Sequence, residues 1–484
     1  MRGRGRDNGR HKRVFGIAAA VIVVMLVAGI LGILFNSGKS TMHLREKNAA
    51  EDKEIVNKET GDKKGGDNNA DSEVKKQGDY QVKRLQNVDY PEETELMQGK
   101  NREPDNAFLK NLLPFYKQTM LHTLLDDKKQ NMAYSPINLY LCMAMLSEMT
   151  DGQTRQQLFD ALGQDSPEDV RKQSQRIWNS IYSGSRISKC ILADSVWLRD
   201  DIPYDKDVLK ILADNYYTSV YQGKMGTKSM DQEVQKWVNR MTGNLLEEQV
   251  GKLETHKDTI LMLLSTVDFY DQWVDRFSEE NTKQGVFYNE DGEKAACDFM
   301  KRVQNSSIYK EKRFSSISLY FESGRSMNIF LPEEGVSVEE MLQKDMKKIL
   351  GISSGADREE AEYGEITLQL PKFQITTEEL DLIPVMKKLG IKDLFLPERG
   401  DFSKILGQDS GSHLVYVDKA EQATKVAVDE NGCSVASYTV VEMRDGAGMP
   451  DKKYQFNCNR SFVFIINNKI DGIPIFAGVV RNMG

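Results

Sequence analysis

Val14 to Phe35 (VFGIAAAVIVVMLVAGILGILF) runs for 22 residues without a charge. No other stretch restricts the chain as sharply, because a segment this apolar has to be withdrawn from water. At a rise of 1.5 Å per residue, about 20 apolar residues cross a hydrocarbon core of roughly 30 Å. Arg2, Arg4, Arg6, Arg10, Lys12 and Arg13 precede the run, and such a basic flank stays on the cytoplasmic side. The expected arrangement is an uncleaved, single-pass anchor over residues 14–35, with residues 1–13 as a cytoplasmic flank. The rival reading is a signal peptide whose removal would leave a secreted protein. Its apolar region is usually about 7–15 residues and ends in small residues, which LFNSGKS matches poorly. No cysteine follows the run, so lipid attachment at such a site is excluded.

Residues 36–104 are polar and mixed in charge, with Tyr80 and Tyr90 their only aromatics. So little apolar surface cannot offset the entropy of ordering, and a flexible stalk is expected. Residues 105–484 read as one globular unit without a second linker of that kind. Its first half is helix-rich. Ala107 to Leu125 and Gln235 to Glu248 carry apolar residues at helical spacing. Leu139 to Glu148 follows Ser135-Pro136, a helix-start signal, and is apolar nearly all round, as a buried helix would be. Strand-like segments come later: TILMLLSTVDFY, SMNIFLP, ITLQLPKF, HLVYVDK and KVAVDE. The chain closes with two apolar runs joined at Asp471-Gly472, a hairpin signal. Helices followed by strands define an α+β class.

The search for chemistry is mostly one of exclusion. A net charge of -8, from 73 acidic and 65 basic residues, offers no basic face for nucleic acid. Cys142, Cys190, Cys297, Cys433 and Cys458 are far apart and odd in number, so neither a disulfide framework nor a zinc site is expected. HExxH, GxxxxGK[ST] and a strand-linked GxGxxG are absent, which removes the mechanistic basis for zincin, P-loop and dinucleotide chemistry. GQDSGSH at 407–413 resembles a serine-nucleophile turn, but it lies in a polar loop without an upstream histidine in a matching strand. The Glu359-Glu360 pair sits among Gly, Ser and Asp and reads as solvated. No enzyme, cofactor or metal is expected. One segment remains unexplained: VDENGCSVASYTVV (428–441) has strand composition after an acidic turn, yet it leads into the loop-like RDGAGMPDKK.

The order of motifs supplies an explanation. NMAYSPINLYLCMAML, WVNRMTGNLLEEQV, ILMLLSTVDFYDQWVDRF, LQLPKFQI, MKKLGIKDLF with DFSKI, FNCNRSFVFII and IPIFAGVV follow one another as in the serpin family, and the globular part resembles that family from about residue 105 to the end. The resemblance implies helices packed around a large, mostly antiparallel central sheet with smaller sheets. It also implies an exposed reactive-centre loop and a monomer whose partner is a serine or cysteine protease. In that family the protease attacks the loop, forms an acyl-enzyme, and is dragged and distorted as the cleaved loop inserts into the central sheet.

By this resemblance Glu430, Asn431, Gly432, Cys433, Ser434, Val435, Ala436 and Ser437 form the loop hinge. Strand alternation sends Cys433, Val435, Ser437 and Thr439 inward on insertion and Ser434, Ala436, Tyr438 and Val440 outward. Val435 and Tyr438 depart from the family's usual alanines. The scissile bond falls in the region of Arg444, Asp445, Gly446 and Ala447 when counted from the hinge, and near Pro450 when counted back from Phe462. A polar cluster beneath the sheet opening is implied at Ser135, Asn138, Ser265 and Gln422, with Trp273 nearby. There Ser265 replaces the family's Asn, Gln422 its His and Asn138 a serine, while Ser461 replaces a proline farther on. The resemblance leaves open a non-inhibitory serpin acting as a binding or chaperone module.

Overall fold

In this computed structural model the described residues are 17–30, 82–86, 88, 106–125 and 130–483, excluding 186–187, 245, 358–359, 408–412, 433–450 and 469–471. Residues 1–13, most of the expected stalk, residues 408–412 of the GQDSGSH turn, Glu359, the hinge residues Cys433, Ser434, Val435, Ala436 and Ser437, and Arg444 to Ala447 therefore lie outside the described residues.

The chain begins with strands β1 (Ile17–Ile30) and β2 (Lys83–Gln86), then helix α1 (Asn106–Leu124), β3 (Met132–Tyr134), α2 (Pro136–Met149), α3 (Gly152–Leu162) and α4 (Pro167–Ile181). Next come β4 (Ser183–Gly184), β5 (Ser188–Arg199), α5 (Lys206–Tyr216), β6 (Thr218–Gly223), α6 (Lys228–Met241), α7 (Glu247–Val250) and β7 (Thr259–Asp271). The second half holds β8 (Lys283–Tyr288), β9 (Lys294–Lys310), β10 (Phe314–Tyr320), β11 (Ser326–Pro332), α8 (Val338–Ser353), β12 (Glu362–Pro371) and β13 (Phe373–Asp381). It ends with α9 (Ile383–Lys388), α10 (Ser403–Leu406), β14 (His413–Val428), β15 (Lys453–Asn457), β16 (Phe462–Asn467) and β17 (Pro474–Val480).

Two sheets organise these elements. One follows the order β13-β14-β1-β7-β5-β6-β2, and the other β15-β12-β9-β10-β11-β16-β17-β3. Helix α2 is buried along its whole length and packs against β7 and β17. Its expected start holds: Ser135 Oγ accepts the backbone N–H of Asn138, and Pro136 occupies the first turn, where its missing N–H costs nothing. The terminal hairpin forms as read, with β16 antiparallel to β17.

Four segments take a form in this structure other than the one read from the sequence. The run expected as a membrane helix is a strand over Ile17–Ile30, and among the described residues no helix is long and apolar enough to cross a membrane. A continuous apolar run suits an inner strand covered on both faces as well as a helix in lipid, so composition does not separate the two. The central sheet is mixed, with β13–β14, β5–β7, β6–β2 and β4–β5 antiparallel as expected, while β1 runs parallel to both neighbours and β5 runs parallel to β6. Within the expected stalk, Lys83–Gln86 forms an edge strand on β6, a pairing made by backbone groups and not dependent on apolar side chains. The helix read from Gln235 to Glu248 instead spans Lys228–Met241 and breaks where Gly243 and Asn244 take positive φ, before the short α7. HLVYVDK and KVAVDE belong to one strand, β14.

Candidate functional site: the sheet slot and the loop hinge

β14 and β7 do not pair with one another; β1 lies between them. Its register runs from Ile17 opposite His413 to Ile30 opposite Ala427 on one side, and from Ala20 opposite Thr259 to Ile30 opposite Tyr270 on the other. The result is a slot that holds a 14-residue strand. Asp429 to Gly432, where the segment expected as the loop hinge begins, stand at the end of this slot, immediately after β14.

Backbone hydrogen bonds pin the hinge there. The Trp273 indole N–H donates to the Asp429 carbonyl at 3.0 Å. The Trp273 amide donates to Asn431 O at 3.2 Å, and the Phe277 amide to Glu430 O at 2.9 Å. Asp429 Oδ1 accepts the Asn431 amide at 2.8 Å, closing a tight turn. Trp273 is fully buried and stacked on Phe321, with ring centroids 4.4 Å apart, so the donor is fixed. Gly432 has φ +81°, and a Cβ there would lie 2.4 Å from the Trp273 nitrogen. Only glycine fits that close approach without strain.

The Glu430 side chain is buried, 2.9 Å from Lys372 Nζ and 2.8 Å from the Thr282 hydroxyl. Burial opposes its ionisation, but Lys372 and Thr282 prevail and hold the carboxyl below its usual range. Burial likewise raises Asp429, opposed by the Asn431 amide.

The polar cluster lies farther down the slot, over α2. Gln422 on β14 accepts the Ser135 amide at 2.8 Å and donates to the Ser135 carbonyl at 3.2 Å. Ser135 Oγ donates to Ile475 O at 2.8 Å. Cys142 Sγ reaches Asn138 Oδ1 at 3.8 Å. Ser265 on β7 and Gln422 on β14 are opposite the same residue of β1, Met25. Ser135, Asn138, Ser265 and Gln422 thus meet at one level of the slot. Trp273 stands apart from them, at the slot's end beneath the hinge.

Asp194, on β5 opposite Ser265, is a member that sequence reasoning missed. Its carboxyl is fully buried, and burial pushes its pKa up to about 7 against the opposing hydrogen bond from Ser265. Asp194 in turn helps burial to raise the Cys142 thiol. Asp194 Oδ1 and Asn138 Nδ2 have no hydrogen-bond partner among the described residues. The available signal was an acidic residue inside the mostly apolar stretch ILADSVWL. Thr282 and Lys372 were missed because their role depends on a contact distant in sequence.

The class is that of an α+β fold with a strand-wide slot in its central sheet and a turn, Asp429 to Gly432, pinned at the slot's end. The chain belongs to the serpin family: residues 115–483 match the family described as Serpin (serine protease inhibitor). It is 24% identical over 391 residues to plasminogen activator inhibitor 1 from Bos taurus, covering 78% of this chain and 93% of that protein. Serpin-ZX from Arabidopsis thaliana is 22% identical over 366 residues, covering 73% of this chain and 92% of the relative. Among solved structures, the thermophilic serpin Tengpin in its native state superposes with a TM-score of 0.70 at 24% identity, covering 83% of this chain and all of that one. The same protein in its latent state gives 0.65 at 23% identity, over 78% and 99% of the two chains.

Proposed function

We propose that this protein inhibits a serine protease by acting as a suicide substrate, with the segment beyond Gly432 as bait. The observation that carries this reading is the slot between β7 and β14. It accommodates a 14-residue strand and opens beside the hinge from which the loop departs. With β1 withdrawn, a cleaved loop turning back from β14 would enter in its place as a strand, satisfying the backbone groups that face the slot. The protease supplies the nucleophile, so the inhibitor needs no catalytic group of its own. Arg444 favours a trypsin-like target.

The uncharged run 14–35 and its basic flank support a second element of the proposal, a single-pass anchor that displays the serpin domain outside the cytoplasmic membrane. Intact mass of membrane-extracted protein tests it; a chain beginning after about Asn36 would replace the anchor with a cleaved signal.

Incubation of the membrane-inserted protein with trypsin should yield an SDS-stable complex near the sum of the two masses. Release of active protease after every cut between Val441 and Pro450 would end the inhibitory reading. The alternative, a non-inhibitory serpin serving as a binding or chaperone module, is favoured by one observation: β1 already occupies the slot.

A further inference from the structure

We infer that Ile17–Ile30 is a removable occupant of the insertion slot, and that drawing this segment into a bilayer makes the protein competent to trap a protease. The inference rests on the insertion mechanism proposed above.

Three observations carry it. First, β1 takes up the inner edges of both β14 and β7 over almost the whole length of each. Each backbone N–H and C=O on those edges serves one partner, so a second strand has no place while β1 is there. Second, β1 is parallel to β14, whereas a loop that leaves the end of β14 and folds back must run antiparallel to it. The two strands cannot merge or share the slot; one excludes the other. Third, the lengths match. β1 has 14 residues, and the 14 residues from Cys433 to Gly446 reach the region where the scissile bond is expected.

The segment has two environments that satisfy its backbone. One is the sheet, as a strand, and the other is a bilayer, as a helix, which also suits an uncharged run. Leaving the first for the second keeps every backbone group paired, so the exchange avoids the cost of unpaired backbone that would hold such a strand in place in water. The 52 residues between Ile30 and Lys83 supply ample contour for the segment to move while β2 stays on its sheet edge. Insertion of a spanning helix is effectively irreversible. The occupied form is therefore that of a chain not yet placed in a membrane. Such a chain would be cut as an ordinary substrate, and its inhibitory activity would begin on delivery to the bilayer.

The experiment uses the full chain made by cell-free translation, with or without phospholipid nanodiscs, and trypsin as the probe. Val23 and Leu263 are register partners, so the double variant Val23→Cys/Leu263→Cys reports occupancy through a disulfide-linked peptide found by mass spectrometry. The link should form without lipid and be lost in nanodiscs. Without lipid, the unsubstituted protein should give mostly cleaved product. In nanodiscs the ratio of complex to product should rise at least tenfold. Val24→Pro removes a backbone donor from an inner strand and should raise the ratio without lipid as well. Absence of the link in the lipid-free protein would overturn the inference, as would equal trapping with and without lipid. A link that forms while no preparation traps trypsin would leave the occupancy standing, but would end both the inhibitory mechanism and the switch built on it.

Discussion

Ser135 and Gln422 hold each other by a reciprocal pair of hydrogen bonds, the Ser135 amide donating to Oε1 at 2.8 Å and Nε2 donating to the Ser135 carbonyl at 3.2 Å. They are 287 residues apart in the chain, and both are fully buried. The pair ties the start of α2 to β14, one wall of the slot. Gln422→Ala strands a buried donor and weakens a buried acceptor, at a cost of about 1–3 kcal/mol. Gln422→Glu keeps an acceptor, loses the donor and adds a buried charge, so it should cost more at neutral pH than alanine does. Urea midpoints of the three proteins at pH 7.5 check this order; an alanine variant as stable as the parent would show that the reciprocal bonds contribute nothing net.

Asp194 sets a pH dependence with a definite sign. Its carboxyl titrates at about 7 in the native protein, against an ordinary value of 3.8. Between those values the folded state retains a proton that the unfolded chain has released, so stability falls as pH rises from about 4 to about 7 and is level above that. The total loss is on the order of a few kcal/mol. Asp194→Asn removes the titrating group. Its denaturation midpoint relative to the parent should therefore climb from pH 5 to pH 7 and stay constant to pH 8.5. A constant difference across the range would exclude Asp194 as the source.

Gly432 is held at φ +81°, where an added Cβ would lie 2.4 Å from the backbone nitrogen of Trp273. In Gly432→Ala the added methyl must displace the hinge from the Trp273 backbone, and the left-handed conformation adds roughly 1 kcal/mol of strain. The expected result is local: faster hydrogen exchange at the Trp273 and Phe277 amides, with a global unfolding midpoint lowered only slightly. Unchanged exchange at those two amides would mean that the hinge tolerates the methyl in place.

Insertion, if it follows strand alternation, distinguishes two neighbouring loop positions. Val435→Arg places a charge on the inward face, where burial without a partner costs several kcal/mol, whereas Tyr438→Arg places one on the outward face. In the membrane-inserted protein the first should be cut by trypsin as a substrate and the second should still trap it. Equal ratios of complex to product in the two variants would refute the assignment of faces.

Much of the fold was legible wherever a local rule has a single outcome. Ser135-Pro136 signals a helix start, and Phe462 to Val480 reads as two apolar runs joined by a hairpin turn. The reading of Glu430 to Ser437 as a loop hinge came from family resemblance, and the residues Ser135, Asn138, Ser265 and Gln422, which the fold brings to one level of the slot, were named the same way. The sequence did not reveal that Asp194 completes the cluster, that Lys372 and Thr282 clamp Glu430, or that Trp273 belongs to the hinge. Each depends on partners brought together from distant segments, and a lone Asp or Thr in a strand carries no mark of its future neighbour.

The apolar run shows where the division lies. By itself the sequence determined that Val14 to Phe35 must be kept from water, since 22 residues without a charge have no polar face to offer. Whether its backbone is satisfied within itself as a helix or by strands on either side depends on what surrounds it. A bilayer offers no hydrogen bonds and imposes the helix, whereas two unpaired strand edges offer a full set and admit a strand. Only the tertiary structure, by setting β7 and β14 one strand's width apart, decided that Ile17–Ile30 is β1.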